Sequence, residues 1–400
     1  MAKITDKYAI VGVGESDRSK HAPQTRVGMA VTAGRRAMAD AGLKGADIDC
    51  VMSYQIADSC NSHTVATHLG IRPTFYMDAI GGGGATEMLV ANAIGLIEAG
   101  VCKTALLFRS MHGRSGKRMG GGPAPSTSAV TSSQGMSTHL EAILPEAAFT
   151  VPYGLASAAA TFALVAMRHM WETGTTEEHL GHVILTFYEH AQRNPKAFMN
   201  GSMITMEEYL RTPLLVSPFR KHDFCLESDE ANAIIVTSAD RSRDLRSRPI
   251  YIMGIAAHNC THQAMVESMP DITDVGSFYA ARQVWPMSGL KPSDIDVAAI
   301  YDCFSWVVLA QLEAFGFVGR GEAGPFVAEG NLKLGGKLPA NTAGGMQGEG
   351  YTHGMNNLIE LVRQLRHTYA GTERQVVDCE TGFGTGWDGP HSGSAIALRR

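Results

Sequence analysis

Two glycine-rich segments of this chain stand where predicted helices begin. The first covers 81–84 and opens a predicted helix over 85–99, and the second covers 344–350 and opens a predicted helix over 353–366. Glycine lets backbone N–H groups approach a ligand closely, and the N-terminus of a helix favours negative charge. The two segments therefore predict one active site at which both helix starts converge around an oxygen that becomes negatively charged.

The side chains beside these glycines could transfer protons. Tyr351 follows the second segment directly, His353 comes shortly after it, and Tyr301 stands in the run Tyr-Asp-Cys-Phe-Ser. A phenol or an imidazole acts as a general acid or base when its pKa is close to the working pH. A single core tyrosine is more often a packing residue, so residue type alone leaves both roles open.

The cysteines and the remaining histidines give weaker signals. Seven cysteines are scattered without a Cys-x-x-Cys pair, which suits neither a disulfide framework nor a zinc site and favours a reducing cytoplasm. Cys303 and Cys379 are further candidates for a nucleophile. His258 and His262 have i, i+4 spacing, but no carboxylate motif accompanies them, so we expect no metal.

A long-range repeat relates the elements that must position these residues. Segments 33–51 and 280–298 both read as a helix that ends in Gly-Leu-Lys, followed by two residues and then Asp-Ile-Asp. In each copy a glycine-rich helix start comes next and then a β-like run, Thr104–Phe108 in the first and Gln375–Cys379 in the second. The offset of roughly 250 residues is too long for a solenoid and favours a duplicated domain.

The order of the predicted elements indicates an α/β fold with two related halves built on mixed sheets. We predict a first half over 1–255, which includes a loop and helix insertion at about 109–222, and a second half over 256–400. Within the insertion, 145–193 is predicted to be helical. The run 233–238 is predicted to be the strand that closes the first half.

Composition and charge exclude several classes of function. The chain is 44% hydrophobic and 18% charged, the balance of a globular protein. A net charge of −5 without a basic stripe gives no reason to expect nucleic acid. The longest apolar stretch, 156–167, is too short to span a bilayer and predicts a buried helix. The first residues carry charges at once, so we expect no signal peptide and a cytoplasmic protein.

Five different short motifs are spread along nearly all 400 residues. They are Gly-Val-Gly-Glu-Ser-Asp at 12–17, Asp-Ile-Asp at 47–49, Ser-Asp-Glu-Ala at 228–231, Tyr-Asp-Cys-Phe-Ser at 301–305 and Gly-Pro-His-Ser-Gly-Ser at 389–394. Together they resemble the thiolase superfamily, in its sterol-carrier-protein-type branch. The resemblance implies a thiolase fold, with duplicated α/β halves in a layered α-β-α-β-α arrangement. It also implies chains that pair through their sheets as a homodimer.

The chain departs from the thiolase pattern at three chemical positions. Thiolases carry a nucleophilic cysteine at the first glycine-rich helix start, where this chain has Gly81. Two histidines of the thiolase pattern match Tyr301 and Tyr351. Acyl transfer through cysteine needs a thiolate, so these departures argue against ordinary thiolase chemistry.

The same departures resemble the thiolase-like aldolases of steroid side-chain degradation, which have tyrosines at these two positions. The resemblance implies retro-aldol cleavage of a bulky β-hydroxyacyl-CoA, giving a ketone or aldehyde and a short acyl-CoA such as propionyl-CoA or acetyl-CoA. It implies no cofactor besides the CoA thioester substrate. It further implies a heterotetramer with a small partner protein that has an OB-fold and a zinc-binding segment.

Such a cleavage needs two proton-transfer groups and an oxyanion site. Tyr301 and Tyr351 would share the acid and base roles, and a hydrogen bond from His353 could lower a phenol pKa. Contact with CoA phosphates is predicted for a basic loop. The predicted substrate- and CoA-binding residues are Gly81, Gly82, Gly83 and Gly345 and, in the basic loop, Arg114, Lys117 and Arg118.

Two other functions stay open on the sequence. A thiolase-like acyltransferase that uses another cysteine predicts an acyl-enzyme and inactivation by a thiol reagent. A non-catalytic acyl-CoA-binding subunit predicts that both tyrosines can become Phe without loss of the complex's activity. The paired tyrosines favour the lyase, because decay alone is not expected to leave two proton donors in place of two histidines.

Overall fold

A computed structural model describes residues 4–56, 58–116, 151–155, 157–261 and 266–400. The strands are β1 (Tyr8–Glu15), β2 (Cys50–Gln55), β3 (Phe75–Ile80), β4 (Thr104–His112), β5 (Leu214–Val216), β6 (Phe219–Arg220), β7 (Asp229–Ser238), β8 (Ile250–Cys260), β9 (Val297–Ala299), β10 (Thr381–Trp387) and β11 (Ser392–Arg399). The α-helices are α1 (Arg26–Ala41), α2 (Ser62–Leu69), α3 (Ala85–Glu98), α4 (Ala158–Thr173), α5 (Glu177–Gln192), α6 (Met206–Arg211), α7 (Ala239–Ser242), α8 (Gly276–Ser288), α9 (Ser305–Ala314), α10 (Ala323–Ala328), α11 (Gly345–Gly348) and α12 (Met355–Leu365).

One mixed sheet of nine strands organises the described residues, in the order β3-β2-β4-β7-β1-β8-β11-β10-β9. The central pair, β1 and β8, is antiparallel. Read outward from this pair, the two sides repeat the same order, β1-β7-β4-β2-β3 on one side and β8-β11-β10-β9 on the other. An isolated parallel bridge between Ala298 and Ala340 lies where the second side would have its fifth strand. Helices and this mixed sheet confirm the predicted α/β class.

The Gly-Leu-Lys repeat folds the same way twice. Gly42 (φ 73°) and Gly289 (φ 71°) each end a helix in the left-handed conformation that glycine adopts without strain. A short 3₁₀ turn follows in each copy. There the carboxylates of Asp47 and Asp294 each accept a hydrogen bond of 2.8 Å from the backbone N–H three residues earlier. The local sequence thus sets the same helix end and turn in both copies.

The second aspartate of each repeat ties two strands together. The Asp49 carboxylate accepts hydrogen bonds of 2.9 Å from two successive backbone N–H groups at the start of β4. Asp296 does the same, also at 2.9 Å, at the start of β10. These matching contacts agree with a division of the chain into two halves, which stays a prediction. Its predicted boundary, 255/256, lies inside β8.

The two helices that follow the glycine-rich segments pack on the same face of the sheet. Apolar side chains of α3 and α12 share one core cluster with β1, β2 and β4, while α1 and α2 cover the opposite face. Both helices have nearly the predicted bounds. This packing brings both helix starts to one edge of the sheet, as the sequence predicts.

Two predictions on secondary structure need correction. Residues 375–379 form turns, and the strand comes later, as β10. The Gln375 side chain and the Cys379 thiol bond to the Gln364 carbonyl of α12, and such bonds compete with a strand ladder. Of the apolar stretch 156–167, the described residues 157–167 are only partly buried. Residues 158–167 form the first part of α4. Leu164 is 49% exposed there, because only one face of this helix meets the core. The helical prediction for 145–193 is confirmed over α4 and α5, while 145–150 lie outside the described residues.

Candidate active site

Tyr301 and Tyr351 lie side by side in the interior of the protein. Their hydroxyl oxygens are 3.2 Å apart, and both side chains are buried. Tyr301 follows β9 at the end of the sheet, and Tyr351 belongs to the segment that leads into α12. Two tyrosines that are 50 residues apart in the sequence therefore form one hydroxyl pair.

Gly83 provides the space that Tyr301 occupies. A Cβ atom at position 83 would lie 2.1 Å from Cζ and 2.2 Å from the hydroxyl oxygen of Tyr301. Gly354, at the start of α12, also contacts this ring, because its added Cβ would lie 3.1 Å from Cδ2. The glycine-rich starts of both helices therefore meet at Tyr301.

The amides of Gly81 and Gly82 already have partners. The Gly82 N–H donates to Oδ1 of Asp388 at 2.8 Å, and the Gly81 N–H donates to the Gln55 carbonyl at 3.2 Å. These two amides are therefore paired within the protein, although the sequence suggested that they face a substrate oxygen. Asp388, which the sequence did not single out, lies directly on the glycine turn.

Gly345 lies behind the tyrosines. It has a φ of 61° and is buried, and a Cβ there would lie 2.3 Å from Oδ2 of Asp302. Asp302 is the residue after Tyr301, and burial raises the pKa of its carboxyl group to about 7. Its Oδ1 accepts a hydrogen bond of 3.0 Å from Asn357. Gly345 thus allows the chain to pack on the carboxyl group that anchors the Tyr301 segment.

His353 contacts Tyr351 edge to face, with ring centroids 4.8 Å apart, and is held by Arg109 from its other side. Nε and Nη2 of Arg109 lie 3.2 Å and 2.9 Å from Nδ1 of His353. A guanidinium can only donate, so Nδ1 must accept and the hydrogen must be on Nε2. Burial and the Arg109 charge lower the pKa of His353 to about 3. The imidazole is therefore neutral, with its N–H directed away from Arg109.

Arg109 itself is completely buried and held by two partners. Its Nη2 lies 2.5 Å from Oδ2 of Asp58, and its Nη1 donates to the Tyr54 carbonyl at 3.2 Å. Burial alone would raise the pKa of Asp58, but the Arg109 charge and hydrogen bond outweigh it and lower that pKa. Sequence reasoning missed this pair. Its signal was a charge directly after the buried run 104–108, since a buried arginine needs a partner.

A buried ion-pair cluster holds the segment before Tyr351. Nε of Arg18 lies 2.7 Å from Glu230, and its Nη2 lies 3.4 Å from Glu349. The same guanidinium packs on Gly350, where a Cβ atom would lie 2.4 Å from its Nε. Arg18 directly follows the motif at 12–17, so the end of β1 and the residues after it help to position the tyrosine segment.

Burial dominates the acidity of both phenols. It raises the pKa of Tyr301 well above its usual value, and the neighbouring Tyr351 raises it further. Burial likewise raises the pKa of Tyr351, although the Arg109 charge opposes this. The structure differs here from the expected lowering by His353, because the effect of burial dominates and the imidazole contacts Tyr351 with its ring edge to face. Both phenols are protonated at neutral pH in the free site.

Comparisons with known proteins match this architecture. Residues 257–399 match the family model described as thiolase C-terminal domain-like. A 17-hydroxy-3-oxo-4-pregnene-20-carboxyl-CoA lyase of Mycobacterium tuberculosis is 37% identical over 396 residues, which cover 96% of this chain and 98% of that protein. A steroid side-chain-cleaving aldolase of Thermomonospora curvata is 36% identical over the whole of both chains. The chain belongs to the thiolase superfamily. Within it, the chain is a member of the thiolase-like aldolases and an enzyme of the aldehyde- and ketone-lyase class.

A solved structure of the same group confirms the predicted thiolase fold. The Ltp2-ChsH2(DUF35) aldolase superposes with a TM-score of 0.83 at 32% identity, covering 100% of this chain and 99% of that chain. The thiolase-type strand order is thus the frame that holds the two tyrosines. No helix of the described residues is both long enough and apolar enough to cross a membrane.

Three cysteines of this thiolase-like chain, Cys225, Cys303 and Cys379, are poorly suited to act as nucleophiles. Cys303 lies beside Tyr301, and its carbonyl accepts a 3.0 Å hydrogen bond from the Cys225 N–H. Burial raises the thiol pKa of both residues. Cys379 is fully buried against α12, and burial raises its pKa to about 11. A thiolate is therefore disfavoured at each position. Sequence reasoning did not connect Cys225 with the site.

The basic loop predicted to contact CoA is described only in part. Arg114 is 37% exposed at its side chain, and its Nη1 lies 3.4 Å from Oε2 of Glu227. Lys117 and Arg118 lie outside the described residues, and so does His262. Among the residues that the structure does describe, no three histidine, cysteine or acidic side chains group as metal ligands. Contact of Arg114 with CoA stays a prediction.

Proposed function

We propose that this chain catalyses retro-aldol cleavage of a bulky β-hydroxyacyl-CoA of the steroid side-chain type. The products are a ketone or aldehyde and a short acyl-CoA such as propionyl-CoA or acetyl-CoA. The hydroxyl pair of Tyr301 and Tyr351, 3.2 Å apart beside a helix start that has glycine at position 81, carries this proposal. The names of the two relatives, a carboxyl-CoA lyase and a side-chain-cleaving aldolase, support the same reaction class.

The two tyrosines share the proton transfers. Because burial keeps both phenols protonated, one can donate its proton to Cα of the enolate while the other donates a hydrogen bond to its oxygen. The Nε2–H of His353, beside Tyr351, is a further neutral donor for that oxygen. No covalent intermediate is needed, which agrees with the buried, protonated thiols around the site. Gly81, in place of the thiolase nucleophile, leaves room for the bulky alcohol.

The enzyme acts as a homodimer within a larger complex. β3 is an edge strand of the sheet and exposes Tyr76 (53%) and Ile80 (71%), which suits pairing with a second copy. The solved relative, the Ltp2-ChsH2(DUF35) aldolase, is named for two components, Ltp2 and ChsH2(DUF35). We propose a heterotetramer with a small protein of this kind, bearing an OB-fold and a zinc-binding segment. We further propose a cytoplasmic location and no cofactor besides the CoA thioester.

The direct test combines the purified chain, with and without a co-encoded small partner, with 3-hydroxyacyl-CoA substrates. The set includes 17-hydroxy-3-oxo-4-pregnene-20-carboxyl-CoA and straight-chain 3-hydroxyacyl-CoAs. We expect the first compound to give propionyl-CoA and a ketone, and both products can be detected by chromatography. An acyl adduct on a cysteine would instead support acyl transfer. Full activity of a complex with Phe at both 301 and 351 would support a non-catalytic subunit.

A further inference from the structure

A second polar pair, Asp388 and His258, faces the first glycine-rich turn. Oδ2 of Asp388 lies 3.5 Å from Nε2 of His258, and its Oδ1 accepts from the Gly82 N–H at 2.8 Å. A Cβ atom at Gly81 would lie 3.8 Å from Oδ2 of Asp388 and 3.7 Å from Cε1 of His258. Position 81 is where the thiolase pattern has its nucleophile. The pair therefore borders the space in which the reacting carbon atoms of a thiolase substrate lie.

The backbone of β8 turns His258 toward this space. The pairing of β8 with β11 is irregular between Gly393 and Ala395, where β8 has one extra residue. His258 lies in this bulge with a φ of 48°, a left-handed conformation that side chains rarely adopt. Its Nε2 is buried and makes no hydrogen bond to any described residue. Bulges and such strained residues concentrate where a side chain must be aimed.

The proposed retro-aldol reaction needs an acceptor for the hydroxyl proton, and the tyrosine pair supplies only donors. Nδ1 of His353 is engaged by Arg109, so this imidazole cannot accept either. Among the described residues at the glycine turn, Asp388 combines a partly exposed carboxylate with an oxygen, Oδ2, that lies 3.8 Å from the Cβ position at Gly81. Its side chain is 20% exposed, whereas the tyrosines are almost fully buried.

We propose that Asp388 takes up the proton of the substrate's β-hydroxyl group, with His258 as its positioning residue. This inference rests on the proposed function. The hydroxyl O–H bond breaks and its proton passes to Asp388, the β-carbon becomes a carbonyl, and the Cα–Cβ electron pair forms the thioester enolate. A tyrosine then protonates Cα, and the Asp388 carboxylic acid returns its proton to that phenolate. The protons balance, and no co-reactant is needed.

The groups around Asp388 leave one of its carboxylate oxygens accessible from the space beside Gly81. His258 faces it from β8, and His391 lies on the same hairpin turn. Burial lowers the pKa of His391, which keeps that imidazole neutral. Glu87 of α3 is turned away, because its Oε2 accepts a hydrogen bond from Ser394 at 2.9 Å. Within this cluster, the carboxylate of Asp388 is held by the Gly82 N–H and remains partly exposed beside Gly81.

The first test replaces the carboxylate and keeps its hydrogen bond. In Asp388→Asn the amide oxygen can still accept from the Gly82 N–H, so we expect KM to stay within about threefold while kcat falls by roughly 100-fold or more. Asp294→Asn is the matched control, because Asp294 also accepts from a backbone N–H at 2.8 Å but in a turn preceding β9. A kcat of Asp388→Asn near that of the wild type would overturn the proposal.

Chemical rescue tests the two roles separately. We expect added formate to restore part of the activity of Asp388→Ala. We expect His258→Gly, which suits the positive φ, to lose roughly tenfold to 100-fold in kcat and to regain activity with added imidazole. His367→Gly, at a similar φ of 55° but outside the site, should keep full activity. Absence of both rescues would contradict the assignment.

The assay also separates this inference from the proposed function. If the wild type cleaves no 3-hydroxyacyl-CoA, the proposed function fails and the role of Asp388 fails with it. If the wild type is active and Tyr301→Phe abolishes turnover while Asp388→Asn does not, only the role of Asp388 is wrong.

Discussion

Nδ1 of His353 accepts hydrogen bonds from the buried guanidinium of Arg109, which fixes the imidazole as its neutral Nε2–H form. The same guanidinium is bound to Asp58. The imidazole next to Tyr351 is therefore a fixed hydrogen-bond donor, and its orientation depends on the buried ion pair between Arg109 and Asp58.

Removal of Arg109 should damage both stability and turnover. Arg109→Met leaves the largely buried Asp58 carboxylate without its charge partner, and we expect a loss of about 3 kcal/mol in the free energy of unfolding. His353 would lose the donor that fixes its tautomer, so kcat should fall as well. Denaturant unfolding and steady-state kinetics measure the two effects.

A double variant separates those effects. Arg109→Met with Asp58→Leu removes both charges, so most of the lost stability should return, whereas the lost kcat should not. Recovery of activity together with stability would show that Arg109 has no role in the site beyond folding.

The neutral state of His353 predicts a dependence of stability on pH. Its pKa is about 3 in the folded protein and about 6.5 in the unfolded chain, so the unfolded state binds a proton that the folded state excludes between these values. This group stabilises the folded state above pH 6.5, and its contribution is lost as the pH falls toward 3. Between pH 7 and pH 5 the loss should be about 2 kcal/mol.

His353→Asn tests this dependence, because asparagine tolerates the φ of 50° at this position. We measure the free energy of unfolding of both proteins with denaturant at pH 7 and at pH 5. Between these pH values, the free energy of unfolding of the variant should fall by about 2 kcal/mol less than that of the wild type. If the free energy of unfolding falls equally in the variant and the wild type between pH 7 and pH 5, the assignment of a neutral imidazole is wrong.

The tyrosine pair predicts two inactive but folded variants. Tyr301→Phe and Tyr351→Phe each remove one hydroxyl of a 3.2 Å pair, and we expect kcat to fall by roughly 100-fold to 10,000-fold. Because the two hydroxyl groups act together, the double variant should lose much less than the product of the single losses. Tyr369→Phe, whose hydroxyl bonds to Glu360, is a control for the loss of a partly buried, hydrogen-bonded hydroxyl group. Near-native turnover in either single variant would remove that tyrosine from the mechanism.

The sequence predicts the parts of the site that depend on local pattern. Glycine at 42 and 289 and aspartate at 47 and 294 act within a few residues, so the helix ends and turns of the repeat could be read directly. The tyrosines could be found because motifs on both sides of them resemble a known family. Local pattern misled at 375–379, where contacts with α12 replace a strand.

The remaining site residues could not be predicted, because their roles arise from contacts between distant segments. Arg109 meets His353 across 244 residues, and Asp388 meets Gly82 across 306 residues. A single aspartate after a strand and a single arginine in an apolar run carry no local sign of their partners. The phenol pKa was predicted in the wrong direction for the same reason, since it depends mainly on burial, which arises from the packing of distant segments.

Gly83 predicts a contrast between two substitutions in one stretch of chain. Gly83→Ala places a methyl group where the Tyr301 ring lies, 2.1 Å from Cζ, so the ring must leave the hydroxyl pair and kcat should fall by at least 100-fold. Gly95→Ala, in the last turn of α3, meets no atom within 4 Å of its new Cβ. That variant should keep its activity and gain up to about 1 kcal/mol in unfolding free energy, because alanine favours a helix more than glycine does. Full activity of Gly83→Ala, measured beside Gly95→Ala, would show that turnover does not depend on the position of Tyr301.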